Sequence, residues 1–395
     1  MTPGARVAAA ITVIDLWLSG SDGLDRVLTA WGRANRFAGS GDRHAIADLV
    51  YDAVRRLRSA CWVAGADAPG ARAALIGSLR LDGEDPSAFF TGEGHAPAPP
   101  DPSEGPRELS DATEAIRLDL PDWLMEHLAN ASREALSALR VRAPLDLRVN
   151  ALRSDVARAR QLLAEEGIET VPGPLAPSCL RVTAGARKVA RSRAYAEGLV
   201  EIQDAASQAA ALASPPQPGE TVLDFCAGGG GKTLALGAAM QGRGRLIAHD
   251  ISALRLRDLA PRAERAGLTV ECLGPCETAS LAGVCDLVFV DAPCSGSGAW
   301  RRNPDAKWRL TPQRLGELVA TQDTVLDAAS QAVRPGARLV YATCSILSDE
   351  NGDRVRAFLD RNPAFRLEGD PISLMPGPDA GDGFFAAVMS RAIRD

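Results

Sequence analysis

No stretch of this sequence approaches the roughly 18 uninterrupted apolar residues of a membrane-spanning helix, so a globular chain without membrane partners is expected. The opening residues Met1 to Trp17 are rich in Ala and Val, but they carry no basic leader and no small-residue cleavage site, and Asp15 interrupts them. A first helix in a cytoplasmic protein is expected rather than a secretion signal. The eight cysteines (Cys61, Cys179, Cys226, Cys272, Cys276, Cys285, Cys294 and Cys344) form no CxxC pairs, which argues against a disulfide scaffold and a zinc ribbon. Cys272 and Cys276 lack a matching Cys/His pair, so they read as buried small hydrophobes and no metal is expected. An excess of positive charge is also missing. With 44 Lys and Arg against 50 Asp and Glu the net charge is −6, so any nucleic-acid contact has to come from a local basic patch.

What the sequence does contain changes character twice. The first ninety residues read as amphipathic helices: Val7, Ile11, Ile14 and Leu18 form one stripe, and Ile46, Leu49, Val50, Ala53, Val54 and Leu57 another, with Asp48, Asp52, Arg55 and Arg58 on the opposite face. Gly39 to Asp42 supplies the break and cap between helices. Gly92 to Pro106 is too rich in proline for helix or central strand and reads as a linker or exposed loop. Helices resume at Pro121-Asp122 and continue towards Leu139, giving a helical domain over 1–140. Residues 141–203 read as a small α/β module, with strands at Leu145 to Val149, Ile168 to Val171 and Leu180 to Val182 and a helix at Val156 to Glu166. Its Arg187, Lys188, Arg191 and Arg193 are the best candidates for a phosphate track.

Residues 204–395 alternate strand and helix. Strands are expected at Thr221 to Phe225, Arg245 to Asp250, Thr269 to Leu273, Asp286 to Asp291 and Arg338 to Thr343, implying a mostly parallel sheet covered on both faces, with ligands at the carboxyl ends of its strands. The first of these runs into Cys226-Ala227-Gly228-Gly229-Gly230-Gly231-Lys232-Thr233. This is not a phosphate loop, because Cys226 stands where the leading glycine is required, and it is not a dinucleotide loop, because Thr233 replaces the third glycine. A bare backbone turn at a helix N-terminus remains, followed by Asp250, a carboxylate placed to accept ribose hydroxyls. Adenosine without phosphates is the economical ligand, and S-adenosylmethionine is the common one.

Two further strands end on chemistry. Asp291-Ala292-Pro293-Cys294 closes one and Ala342-Thr343-Cys344-Ser345 the other, which suggests two thiols in one cleft beside a carboxylate. Carbon 5 of cytosine is too weak a nucleophile to take a methyl group until a thiolate has added at carbon 6, and after transfer the carbon 5 proton must leave. Two thiols, a carboxylate able to meet the cytosine N3/N4 edge and a methyl donor suit that reaction. A single cysteine at a strand end is more often a buried small hydrophobe; the two together are not so easily dismissed.

The residues CAGGGGK at 226–232, DAPCSGSG at 291–298 with the following RRNPDAKW, and YATCS at 341–345 resemble the Sun/Nop2 family of S-adenosylmethionine-dependent RNA cytosine-5 methyltransferases, over about residues 141–390. ADLVYDAVRRL at 47–57 and LPDWL at 120–124 resemble more weakly the NusB-like amino-terminal domain of its bacterial ribosomal-RNA members. The resemblance implies a class I Rossmann-like methyltransferase domain behind an RNA-binding module and a helical RNA-binding domain, acting on RNA, ribosomal RNA foremost, as a monomer without metal. It implies Cys344 as the nucleophile, Cys294 as the residue that assists product release, Lys232 and Asp291 as the pair that orients and activates the cytosine, and residues 226–232 with Asp250 and Asp291 as the cofactor site. Two departures stand out: Gly228-Gly229 replaces the usual Ala-Pro, and the segment Glu271 to Leu281 has no aspartate for the adenine amino group, leaving Glu277 or a backbone carbonyl. Arg301, Arg302 and Lys307, just after the Pro-Cys turn, are expected at the cleft mouth, on phosphates flanking a flipped base. Competing readings are a non-catalytic RNA-binding assembly factor, a transfer-RNA cytosine-5 methyltransferase, and a small-molecule or protein methyltransferase; the last leaves the second cysteine and the front modules without a role.

Overall fold

Helix α1 (Pro3–Ser19) starts where the sequence supplies a cap: Thr2 accepts a hydrogen bond from the Ala5 amide, and Pro3 sits in the first turn, where a missing N–H costs nothing. Then follow α2 (Leu24–Ala34), α3 (Ser40–Arg55), α4 (Leu57–Val63) and α5 (Ala71–Leu81). The computed structural model describes residues 1–275, 277–377 and 380–393, and the chain divides into two units: Met1–Arg142 with Trp300–Leu310, and Ala143–Ala299 with Thr311–Asp395.

In the first unit the stripe of α3 is buried as its periodicity requires, through Ile46, Val50, Ala53 and Val54, and Leu57 joins the same core from α4. The stripe of α1 is rotated from the expected one. Val7, Ile14 and Trp17 face the core with Ala10 and Val13, whereas Leu18 is exposed, because turning the larger Trp17 inward removes more apolar area from water. Gly92 to Pro106 is no free linker: Arg72 of α5 ion-pairs with Glu104 at 2.7 Å and donates to the carbonyls of Ala98 and Pro99. The expected helical run towards Leu139 is interrupted, with Leu124–His127 and Arg133–Ala138 as separate short helices, the second capped by Ser132.

The segment Trp300–Leu310 belongs to this helical unit although it lies far along the chain. The last carbonyls of α3 have no intrahelical donor, and this segment supplies them. Lys307 Nζ donates to the Arg55 carbonyl at 2.9 Å and Trp308 Nε1 to the Val54 carbonyl at 2.8 Å, while Arg55 Nε returns a bond to the Arg301 carbonyl at 3.0 Å. A cation at the C-terminal end of a helix also meets the negative pole of its dipole. Arg55, expected on the solvent face, is therefore buried.

The second unit holds two sheets. Strands β1 (Leu145–Val149), β2 (Glu169–Pro172), β3 (Cys179–Ala184) and β4 (Val200–Ile202) form an antiparallel sheet in the order β2-β3-β1-β4, closed by the helix Val156–Glu165 over Leu147, Leu163, Leu180 and Val200. Strands β5 (Thr221–Asp224), β6 (Arg245–His249), β7 (Glu271–Leu273), β8 (Cys285–Asp291) and β9 (Val333–Thr343) pair in parallel. The order among the described residues is β10-β12-β9-β8-β5-β6-β7, with β10 (Phe365–Leu367) and β12 (Phe384–Arg391) added antiparallel at the β9 edge and β11 (Ile372–Leu374) pairing β12. These last three strands were not expected from the sequence.

The two sheets of this unit are tied together through polar groups. Asn150 Nδ2 donates to the carbonyls of Gly198 at 3.0 Å and Ala266 at 2.9 Å, and Arg262 and Arg265 both ion-pair with buried Glu201. Arg181 pairs with fully buried Asp146 and also donates to the Ala380 carbonyl at 2.9 Å. No helix among the described residues is long and apolar enough to cross a membrane.

Candidate active site

The glycine loop follows β5 and turns into the helix Gly231–Ala239. Gly228 and Gly230 have φ of 52° and 82°, in the left-handed region that glycine enters without strain. At Gly230 a Cβ would also stand 2.1 Å from Leu259 Cδ1, so only glycine fits. Other elements fix the turn. The Ala227 amide bonds the His249 carbonyl at 2.8 Å, Gly228 N–H donates to Asp250 Oδ2 at 3.0 Å, and Arg262 donates to the Gly229 carbonyl. Gln203, next to β4, donates to the Gly231 carbonyl at 3.2 Å, so the small antiparallel sheet helps to hold the loop. The Gly228-Gly229 pair is thus locked by hydrogen bonds in place of a proline ring.

Asp250 is buried at the end of β6, its second oxygen accepting from the Ser252 amide at 2.8 Å. Asp224, at the end of β5, is fully buried. Its Oδ2 accepts from Thr233 Oγ1 at 2.7 Å, its Oδ1 has no partner, and burial pushes its carboxyl up to about 7 against the Thr233 hydrogen bond. Sequence reasoning set Asp224 at the strand end that opens the loop but gave it no role in the site. Bare amides at a helix N-terminus, a strand-end carboxylate and an orphaned buried carboxylate oxygen fit a nucleoside cofactor such as S-adenosylmethionine. Cys226 lines the loop, and burial first, then the neighbouring carboxylates Asp224, Asp291 and Asp250, drive its thiol far above the ordinary range. The Glu277 carboxylate, a candidate for meeting adenine, accepts from the Gly274 amide at 2.5 Å. Cys272 is exposed rather than buried, because β7 lies at the edge of the sheet; Cys276 lies outside the described residues.

The other residues converge at the ends of neighbouring strands β8 and β9, which pair in parallel with Asp291 beside Ala342. Cys294 Sγ and Cys344 Sγ lie 3.4 Å apart. The Cys294 thiol is raised well above its usual range, first by its hydrogen bond to the Cys344 sulfur and then by burial, so it keeps its proton and can donate it to that sulfur. Lys232 Nζ donates to Asp291 Oδ2 at 2.6 Å and lies over the Phe384 ring, 4.9 Å from its centre. Burial alone would lower the Lys232 ammonium, but the Asp291 charge and hydrogen bond outweigh it and the net shift is upward, so Lys232 keeps its proton. Phe384 comes from β12, an unexpected strand, and could not have been singled out without it.

Of the basic residues, Arg187, Lys188, Arg191 and Arg193 are exposed, following β3 in a short helical turn, with Lys188 donating to the Glu166 carbonyl and Arg193 pairing with Glu197. Arg301 and Lys307 are a correction. They are 2% and 1% exposed, bound into the helical unit where they satisfy the end of α3 or pack beside it, and offer no surface to a phosphate; Arg302 is half-buried.

Comparison with known proteins agrees with this architecture. Residues 211–390 match the family described as 16S rRNA methyltransferase RsmB/F, and residues 120–189 match the ferredoxin-like domain of RsmF/B-like methyltransferases. The chain is 35% identical over 305 residues to ribosomal RNA small subunit methyltransferase B of Vibrio cholerae, covering 73% of this chain and 69% of that protein. It is 36% identical to the protein of the same name from Salmonella typhi, over 71% and 68% of the two chains. The crystal structure of PH0851 superposes with a TM-score of 0.77 at 25% identity over 99% of both chains, and a methyltransferase homologue from Pyrococcus horikoshii with 0.61 at 25% identity, over 71% of this chain and 97% of that one. The chain therefore belongs to the RsmB/F family of S-adenosylmethionine-dependent 16S ribosomal-RNA methyltransferases.

Proposed function

We propose that this protein methylates carbon 5 of a cytosine in small-subunit ribosomal RNA, through a covalent bond between Cys344 and carbon 6 of the base. The observation that carries the reading is the 3.4 Å contact between Cys344 and Cys294 at adjacent strand ends, beside the Lys232–Asp291 pair. The family membership supports ribosomal RNA as the substrate. The exposed basic residues Arg187, Lys188, Arg191 and Arg193 suit contact with its phosphates.

The Cys344 thiolate adds at carbon 6 and the ring electrons move to carbon 5, which becomes an enamine carbon. Asp291 accepts from the base edge and Lys232 balances its charge, favouring the electron-poor ring that a thiolate attacks. S-adenosylmethionine, when bound by the 226–232 loop and Asp250, supplies an electrophilic methyl group. Once carbon 5 carries the methyl group, its proton must go to a base before the Cys344 sulfur can leave with its electron pair. Cys294, 3.4 Å from the departing Cys344 sulfur, passes its own proton to that sulfur and takes up the carbon 5 proton in its place, so that elimination leaves both residues as thiols.

The test uses labelled S-adenosylmethionine and 16S ribosomal RNA. Cys344→Ala abolishes transfer, and Cys294→Ala leaves protein covalently trapped on RNA. A Cys344→Ala enzyme that still methylates, or a Cys294→Ala enzyme that turns over normally without trapping, would overturn the mechanism.

A further inference from the structure

A carboxylate that neither the sequence motifs nor the proposed chemistry uses lies beneath both cysteine loops. Glu350 is fully buried, six residues after Cys344 in the segment that follows β9. From the Pro-Cys loop it takes two hydrogen bonds: the Ser295 amide to Oε1 at 2.8 Å and the Ser295 hydroxyl to Oε2. From the Thr-Cys loop it takes the Ser345 hydroxyl on Oε2 at 2.5 Å. Gln322, on the helix Pro312–Ser330, donates to Oε1 at 3.0 Å and with the same nitrogen to the Pro293 carbonyl at 3.0 Å. The Glu350 backbone is fixed as well, since Tyr341 donates its hydroxyl to the Glu350 carbonyl at 2.6 Å.

Three of the four residues that flank the two thiols are thereby tied to this one buried carboxylate. Ser295 follows Cys294, Ser345 follows Cys344, and Pro293 precedes Cys294 through the Gln322 bridge. Asn351 adds to the arrangement by donating to the Ser345 carbonyl at 2.9 Å. A buried carboxylate is retained only where its lone pairs are satisfied, and here the satisfying donors come from both catalytic loops and from a third element. Donors that converge on one carboxylate from both loops favour a single arrangement of those loops, which is what a site needing two sulfurs in contact requires.

We infer that Glu350 is a positioning residue for the two thiols: its carboxylate, shared between the Pro-Cys and Thr-Cys loops, holds Cys294 against Cys344. This deepens, and rests on, the cytosine-5 reading of the same site. After the Cys344 hydrogen bond, burial and the Cys344 charge, the Glu350 charge adds to what holds the proton on Cys294. With the carboxylate neutralised or removed, the loops lose their common acceptor, the sulfurs separate and Cys294 ionises more readily.

The experiment uses the full chain carrying Glu350→Gln and, separately, Glu350→Ala, with Ser345→Ala as a milder variant that keeps the anion and removes one donor. Two readouts are taken. Iodoacetamide labelling of the free protein, with the Cys294 and Cys344 peptides resolved by mass spectrometry across pH 6 to 10, reads the thiols without RNA. Methyl transfer and trapped protein–RNA adduct read the reaction. Glu350→Gln is expected to label Cys294 at least about fivefold faster at neutral pH, and to lower kcat by about tenfold while the affinity for S-adenosylmethionine is unchanged. Ser345→Ala is expected to give smaller changes in the same direction. A Cys294 labelling profile identical to wild type in Glu350→Gln, together with kcat within about twofold, overturns the proposal. A fall in kcat with an unaltered labelling profile overturns it too, since that marks general destabilisation rather than thiol positioning. Should Glu350→Ala fail to fold, the two milder variants still decide. Failure of the underlying reading looks different, because wild-type protein then forms no 5-methylcytidine while the labelling comparison remains measurable.

Discussion

Lys307 offers a quantitative test of how the segment after the Pro-Cys turn is held. It is 1% exposed in the helical unit, with Asp119, Arg140 and Arg55 as its charged surroundings, and burial pushes its ammonium down to about 7 from an ordinary 10.5. A lysine depressed in the folded state binds its proton more tightly when unfolded. Its penalty is therefore fully present below pH 7 and is relieved as pH rises towards 10.5. Integrating that linkage between pH 7 and pH 9 gives a gain in stability of about 2 kcal/mol. The Arg55 carbonyl and the Trp308 ring, 4.7 Å from Nζ, favour the ammonium and hold back part of it, on the order of 1 kcal/mol. The upper limit of the window is set by Cys61, whose buried thiol is raised from 9.0 to about 11 and costs stability above pH 9, and by Tyr51, raised above its ordinary 10.0. The assay is direct because all six tryptophans, Trp17, Trp31, Trp62, Trp123, Trp300 and Trp308, lie in this unit. Urea unfolding followed by tryptophan fluorescence should show wild type gaining about 1–2 kcal/mol from pH 7 to pH 9. Lys307→Met, which has no group to titrate there, should be flat over the same interval. A wild-type curve as flat as that of Lys307→Met would refute the reasoning.

Three further outcomes follow from the site. Asp250→Ala should weaken S-adenosylmethionine binding by calorimetry about 10- to 100-fold, the loss of hydrogen bonds to a charged acceptor, and unchanged affinity would remove Asp250 from the cofactor site. Gly230→Ala should lower the melting temperature of the methyltransferase unit by about 5 °C or more, since a left-handed alanine costs about 1–2 kcal/mol and its Cβ meets Leu259. A shift under about 1 °C would show that the loop relaxes freely. Replacing Arg187 and Arg191 by Ala should reduce the salt slope of RNA binding by about 1 to 2, whereas Arg301→Gln should leave it unaltered; equal effects would mean that Arg301 reaches RNA after all.

The sequence by itself determined the parallel core and the reactive groups. Strands β5, β6, β8 and β9 and the residues at their ends, Asp224 to Lys232, Asp250, Asp291 and Cys344, are encoded locally, by apolar runs that stop at glycine, proline or a polar residue. It could not determine where Trp300–Leu310 goes. Its basic residues look like a surface patch until the unpaired carbonyls of α3, some 250 residues earlier, are seen to need donors. Nor could it reveal Phe384 beside Lys232, because the strand carrying it is a continuous apolar run whose antiparallel place on β9 depends on the completed sheet. Glu350 is the clearest case: one glutamate among many in composition, it gains its part only where the two cysteine loops and the helix Pro312–Ser330 bring their donors to a single buried carboxylate. Burial and convergence are properties of the packed chain, so the groups that react can be read from local pattern, while those that hold them in contact appear only after folding.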